Sequence, residues 1–205
     1  MKNALKWILL TALLAVILVG AAVLYGRLGK EYGGNNLMQT PDAQSEEADE
    51  SGTSEAETEE GKGLFPAPDF TVLDEDGNEV KLSDYIGTPV VLNFWASWCY
   101  YCKQEMPDFD AAYENHAEVR FLMVNATDGI QETVTSAKEY AAREAYHFDI
   151  FFDTKQEAVN AYSVNGLPTT FFIDKDGNLI AQGNGMLDSE TLEKGIKMIT
   201  ESESE

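Results

Sequence analysis

The chain has 205 residues, 44% hydrophobic and 11% aromatic, enough apolar side chains for the core of one ordinary domain. Its formal net charge is −22, with 36 Asp and Glu against 14 Lys and Arg. Nucleic-acid binding and charge-driven adhesion to anionic lipid both need a cationic surface, so this charge argues against both. It is a source of solubility.

The first 30 residues predict a membrane segment. The run 7–24 has no charged side chain, and as a helix it would span about 27 Å, near the hydrocarbon thickness of a bilayer. A cleaved signal peptide is the alternative, but the run is long for one and no small-x-small cleavage site follows it. We therefore favour an uncleaved signal anchor over residues 1–30. No Cys follows the run, which excludes a lipoprotein anchor, and the acidic remainder favours a carboxyl-terminal domain outside the cytoplasm.

Residues 31–63 predict an acidic disordered linker. The segment is rich in Glu, Ser, Thr and Gly and buries too little apolar surface to offset its ordering entropy. Like charges along it favour an extended chain. We expect a tether that holds a domain over residues 64–205 away from the membrane.

From residue 64 onward the pattern is that of an α/β domain. The predicted elements are a hairpin over 70–73 and 80–82 with an Asp-Gly turn, a buried strand 90–96, a helix 99–116, a buried strand 119–125, a helix 132–145, a strand 149–152, a short helix 155–162, a hairpin over 169–173 and 179–182, and a closing amphipathic helix with Leu192, Ile196 and Ile199. Strands that alternate with helices indicate a mixed sheet.

Both cysteines of the chain stand in one four-residue window, at Cys99 and Cys102. The pair follows a predicted buried strand and begins a predicted helix. A helix amino terminus carries partial positive charge and unpaired N–H groups, which favour the thiolate of Cys99 and predict it as the nucleophile. Cys102 lies one turn further on, where it can resolve a mixed disulfide.

A permanent structural disulfide and a metal site are the alternatives for this pair. Closing so short a loop adds little stability through chain entropy. A metal site needs two or more further ligands, and the two histidines, His116 and His147, stand far from the cysteines in sequence. We therefore expect a redox dithiol, with no metal and no cofactor.

The segments around the cysteines resemble the active site of thioredoxin-fold proteins. Residues 93–102, Asn-Phe-Trp-Ala-Ser-Trp-Cys-Tyr-Tyr-Cys, resemble the active-site strand and helix, and residues 166–170, Gly-Leu-Pro-Thr-Thr, resemble the cis-proline loop. The resemblance covers about 64–200, and the extra helix–strand block over 130–153 resembles the membrane-anchored TlpA/ResA type. It implies a thioredoxin fold with an amino-terminal β-hairpin and a central helix–strand insertion. It also implies an extracytoplasmic thiol-disulfide oxidoreductase of the protein-disulfide reductase type.

The resemblance implies roles for individual residues. Cys99 would be the attacking thiolate and Cys102 the resolving thiol. Pro168 would adopt the cis form beside them, and Leu167 would present its backbone to the client chain. Trp98 would shield the pair from water, with simple core packing as the alternative.

Glu105 matches a glutamate in the active-site helix of the TlpA/ResA type. It lies three residues after Cys102 and could exchange a proton with it, although a solvated surface carboxylate fits the sequence equally well. Asn93 stands where thioredoxin itself has a buried Asp, which favours Glu105 as the base. Tyr100 and Tyr101 replace the more familiar Gly-Pro or Glu-Pro pair, which leaves the redox potential open.

The implied partners are protein thiols and disulfides, with apocytochrome c among the candidate clients, and an integral-membrane dithiol carrier as electron donor. Two other functions compete with this one. Peroxiredoxins have Thr three residues before the reactive Cys, where this chain has Ala96, so we reject that reading. A copper-delivery protein on the same fold is the alternative; such proteins use Cys-x-x-x-Cys with a distant His, one residue more than the spacing here.

Overall fold

The computed structural model describes residues 37–39 and 65–201. The predicted anchor over residues 1–30 and most of the predicted linker lie outside the described residues. Within the described ranges, no helix is both long and apolar enough to cross a bilayer.

Thirteen short elements build the described part of the chain. In chain order they are β1 (Leu37–Gln39), β2 (Thr71–Leu73), β3 (Glu79–Lys81), a 3-10 turn (Leu82–Tyr85), β4 (Val90–Trp95), α1 (Tyr100–Asn115), β5 (Arg120–Asn125), α2 (Val134–Glu144), β6 (Ile150–Phe152), α3 (Glu157–Ala161), β7 (Thr169–Ile173), β8 (Leu179–Asn184) and α4 (Ser189–Thr200). The described strands form one sheet in the order β1-β8-β7-β4-β5-β6-β2-β3. Strands β4, β5 and β6 run parallel, whereas β7 is antiparallel to β4, so the sheet is mixed as predicted.

The sheet buries one apolar cluster on each face. Along β4, Val91 and Trp95 belong to a cluster with side chains of α1, α2 and α4, whereas Leu92 and Phe94 belong to a cluster with side chains of β2 and α3. Successive side chains of a strand point to opposite faces, so a continuous apolar run serves both clusters. This is why β4 shows no alternation of polar and apolar residues.

The sequence predicted every element that the structure describes between 65 and 201 except the 3-10 turn, with bounds shifted by a few residues. The amino-terminal hairpin is present as β2 and β3, and the central insertion is present as α2 and β6. At the hairpin turn Gly77 has a φ of +87°, a conformation that glycine adopts without steric cost. The thioredoxin-like α/β fold is therefore confirmed.

One strand lies where the sequence predicted a disordered linker. Leu37–Gln39 pairs antiparallel with β8, and Leu37, opposite Gly183, is partly buried against the cluster shared by α1, α2 and α4. Without β1, the strand β8 would leave its backbone groups unpaired at the sheet edge, and such an edge readily binds an extended segment. The acidic average of residues 31–63 concealed this short apolar segment.

Candidate active site

The two cysteines form a disulfide between the end of β4 and the beginning of α1. Cys99 is the N-cap of α1, and its Sγ accepts a hydrogen bond of 3.2 Å from the backbone N–H of Cys102. The backbone N–H of Cys99 donates to the carbonyl of Ala96 at 3.1 Å, which closes a tight turn over residues 96–99, called the cysteine turn below. The sulfur of Cys99 therefore lies at the positive end of the helix, where a thiolate formed on reduction is favoured.

The two cysteines differ in their access to solvent. In the disulfide form Cys99 is 5% exposed and Cys102 is fully buried. A thiol approaching from outside therefore reaches Cys99 first. This ordering agrees with the predicted roles of attacking and resolving sulfur.

Glu105 is a buried carboxylate in α1, one turn after Cys102, and it is only 1% exposed. Its Oε1 accepts a hydrogen bond from Asn93 Nδ2 and its Oε2 accepts one from the backbone N–H of Leu187, each at 2.9 Å. Burial raises the pKa of Glu105 to about 8, although these two hydrogen bonds lower it in part. The alternative of a solvated helix-face carboxylate is therefore wrong. A carboxyl with this pKa can give or take a proton near neutral pH.

Asn93 connects Glu105 to the neighbouring strand β7. Its Nδ2 donates to Glu105 and also to Thr170 Oγ1 at 3.0 Å, whereas its buried Oδ1 has no hydrogen-bond partner among residues 37–39 and 65–201. When Glu105 carries a proton, rotation of the Asn93 amide by 180° would offer Oδ1 to that proton. An amide at this position can therefore pair with either protonation state of Glu105.

The predicted cis-proline loop lies at the same edge of the sheet as the disulfide. The Leu167–Pro168 peptide bond is cis, as the resemblance implied. Thr169, which follows, is paired with Phe94 near the end of β4, so the register places the loop beside the cysteine turn. Pro168 is buried, and Leu167 is partly buried against both apolar clusters. A groove beside the loop is lined by residues 163–169, with the end of β8.

Three aromatic side chains that neighbour the cysteines in sequence are exposed at the surface. Trp98, Tyr100 and Tyr101 are 49%, 67% and 60% exposed, and the two tyrosine rings pack edge to face with centroids 5.4 Å apart. The alternative of simple core packing for Trp98 is therefore wrong. Its role as a shield of the disulfide stays a prediction.

Sequence reasoning gave no role to Glu132, which is a second buried carboxylate behind the cysteine turn. It is 1% exposed, and all three of its side-chain hydrogen bonds come from Ser97 and Asn125. The sequence placed Glu132 at the beginning of a helix, where an acidic residue is ordinary. The one signal for it was a set of polar residues directly after the buried strand β5.

The histidines do not join the cysteines. His116 contacts Glu118 and Glu193, and His147 contacts Asp110. In the described part of the chain, no group of three or more His, Cys, Asp and Glu is arranged to hold a metal ion.

The chain is similar to known proteins in both sequence and structure. Residues 65–182 match the AhpC/TSA family. The thiol-disulfide oxidoreductase ResA of Geobacillus kaustophilus is 38% identical over 135 residues, which cover 65% of this chain and 75% of that protein. The ResA of Bacillus thuringiensis is 36% identical over 148 residues, covering 72% and 83%. Among solved structures, the exposed lipoprotein thioredoxin of Streptococcus pneumoniae superimposes with a TM-score of 0.57 at 30% identity, covering 63% of this chain and 98% of that one.

Proposed function

Because this chain belongs to the AhpC/TSA family and is a thiol-disulfide oxidoreductase of the ResA type, we propose that it exchanges disulfides with client proteins through Cys99 and Cys102 outside the cytoplasm. The observation that carries the proposal is the arrangement of the two sulfurs. Cys99, 5% exposed, caps a helix, and Cys102 lies fully buried one turn away, three residues before the buried carboxyl of Glu105.

The reaction begins from the reduced protein. The thiolate of Cys99 attacks one sulfur of a client disulfide, so that a mixed disulfide forms and the other client sulfur leaves as a thiolate. The exposed side chains of Trp98, Tyr100 and Tyr101, together with the groove beside Pro168, provide a surface on which the client chain can lie. The backbone of Leu167 faces this encounter in the arrangement that the family resemblance implies.

The second step releases the client. Cys102 loses its proton and its thiolate attacks the Sγ of Cys99, which expels the second client thiolate and leaves the disulfide seen in the structure. Two electrons pass from the dithiol to the client disulfide. In this proposal Glu105 accepts the proton of Cys102, and its pKa of about 8, close to that of a thiol, supports the role.

The proposed location depends on the amino-terminal sequence. The uncharged run 7–24 supports an uncleaved anchor, and the acidic remainder supports a domain outside the cytoplasm. There the disulfide of the protein would be reduced again by an integral-membrane dithiol carrier. Apocytochrome c, which must keep its cysteines reduced, is one client class for such a protein.

Insulin reduction by the full chain tests the proposed chemistry. Wild type should catalyse the reaction, C99S should abolish it, and C102S should accumulate a mixed disulfide with the client. Full activity in C99S would overturn the proposal. Copper titration of the reduced protein tests the alternative, since tight stoichiometric binding without reductase activity would favour copper delivery.

A second experiment tests location and clients together. In intact cells with the outer layers removed, external protease should digest the domain over residues 64–205, and C102S should trap cysteine proteins from outside the cytoplasm. Protection from protease, together with trapped cytoplasmic proteins, would contradict the proposed location.

A further inference from the structure

We propose that Glu132 is a positioning residue that holds the cysteine turn in place when the disulfide is reduced. This inference rests on the proposed role of Cys99 as the attacking sulfur. It assigns to a residue outside the Cys-x-x-Cys helix the task of keeping that sulfur at the helix amino terminus.

Glu132 accepts hydrogen bonds from both the backbone N–H and the hydroxyl of Ser97, a residue of the cysteine turn. Ser97 is the second residue of the turn that the bond from Cys99 N–H to the carbonyl of Ala96 closes. Its backbone N–H donates to Glu132 Oε1 at 3.0 Å, and its hydroxyl donates to Oε2 at 2.7 Å. A carboxylate that accepts two bonds from one residue restricts both the position and the rotation of that residue.

Glu132 is itself held rigidly. Its Oε1 also accepts from Asn125 Nδ2 at 2.8 Å, and Thr127 Oγ1 donates to the Oδ1 of the same Asn at 2.7 Å. On the main chain, its N–H donates to Asp128 Oδ1, and its carbonyl accepts from the N–H of Gly129, each at 2.9 Å. The carboxylate therefore ties the cysteine turn to the end of β5, the strand parallel to β4.

Stability alone does not account for a carboxylate at this position. A carboxylate that is 1% exposed loses nearly all of its hydration, and an apolar side chain of similar size is often as favourable in a protein interior. What an apolar residue could not provide is the pair of bonds to Ser97. The arrangement therefore favours a role in placing the turn.

The need for this contact changes with redox state. In the oxidised protein the covalent bond to Cys102 fixes the sulfur of Cys99. After reduction that bond is gone, and the Ala96–Cys99 turn, which Glu132 holds, is left to keep the sulfur at the helix end. Loss of the carboxylate should therefore destabilise the reduced form more than the oxidised form.

The test is the dithiol–disulfide equilibrium of the full chain in glutathione buffers, measured together with chemical denaturation of both redox forms. We expect E132A to shift the equilibrium toward the disulfide by about tenfold, the equivalent of one hydrogen bond to a charged group. E132Q should stay within about threefold of wild type, because its amide oxygen can accept from Ser97 N–H and its amide nitrogen can donate to the Ser97 hydroxyl. S97A, which removes only the hydroxyl, should shift the equilibrium in the same direction as E132A by about threefold.

D153N is the matched control. Asp153 is fully buried directly after β6, and its carboxylate accepts bonds from the backbone N–H groups of Glu157 and Val159 in α3 and none from the cysteine turn. Replacing the Asp153 carboxylate by an amide should destabilise the reduced and the oxidised protein equally. The inference is overturned if E132A behaves as D153N does, or, should E132A not fold, if S97A leaves the equilibrium within experimental error of wild type. Full insulin reduction by C99S would instead overturn the proposed function, whatever the equilibrium of the Glu132 variants.

Discussion

Replacing Glu105 by Gln should alter both the stability and the kinetics of this protein as functions of pH. The pKa of Glu105 is raised from 4.5 to about 8, mainly by burial, so the folded state holds a proton that the unfolded state releases between these values. The stability that this proton contributes is complete below pH 4.5 and is lost as the pH rises through 8. Each tenfold change in an acid constant is worth about 1.4 kcal/mol, so ionisation in the folded state costs of the order of 5 kcal/mol.

The stability assay compares denaturation of the oxidised wild type and E105Q at intervals from pH 5 to pH 9. At pH 5 the amide resembles the protonated acid, so we expect similar free energies of unfolding. At pH 9 the variant should be more stable by several kcal/mol. E139Q is the matched control, because Glu139 is an exposed carboxylate of the helix α2, and its variant should keep the wild-type dependence.

The kinetic assay follows resolution of the mixed disulfide by stopped flow over the same pH range. Glu105 lies one helical turn from Cys102, so E105Q should change the pH dependence of the resolving step and leave attack by Cys99 largely intact. Loss of a positioned acid–base group typically slows a step by about 10²–10⁴-fold. Removing a negative charge beside Cys102 should also favour its thiolate at alkaline pH, which offsets part of this loss. Superimposable profiles for wild type and E105Q, in both stability and resolution, would refute the assignment.

Three further outcomes are expected. G195A should lower the free energy of unfolding by about 1–2 kcal/mol in chemical denaturation, because the new methyl group would collide with the buried ring of Phe172. The cost of this collision outweighs a gain in helix propensity of about 1 kcal/mol. A more stable variant would contradict this packing. Partial burial lowers the pKa of His116, but hydrogen bonds to Glu118 and Glu193 outweigh this effect and raise the pKa overall. The His116–Glu193 ion pair therefore contributes stability that is complete below pH 6.5 and is lost as the pH rises through the raised pKa. E193Q should therefore be destabilised at pH 5.5 and unchanged at pH 9, and an equal loss at both would contradict the ion pair. A chain that begins at Leu64 should keep its insulin-reduction rate but lose about 1 kcal/mol of stability with β1; unchanged stability would show that β1 contributes nothing.

The sequence alone determined the order and type of the elements, because these depend on neighbouring residues. An apolar run of strand length predicted β4, and the Asp-Gly pair at Asp76 predicted the hairpin turn. The placement of Cys99 as a helix N-cap was also predictable, since it needs only a strand before the residue and a helix after it. The redox chemistry of the chain was therefore visible in four residues and their flanks.

The tertiary structure decided the environment of the charged and edge residues. Glu105 fitted a solvated surface equally well in sequence, yet it is buried, and its carboxylate accepts a hydrogen bond from the N–H of Leu187, 82 residues away. Glu132 looked like an ordinary acidic residue at the beginning of a helix, yet its partner Ser97 lies 35 residues earlier, in the turn between β4 and α1. Leu37 pairs with Gly183 across almost the whole described chain. Burial and pairing at these three positions are sums over distant contacts, so no local pattern of residues could have revealed them.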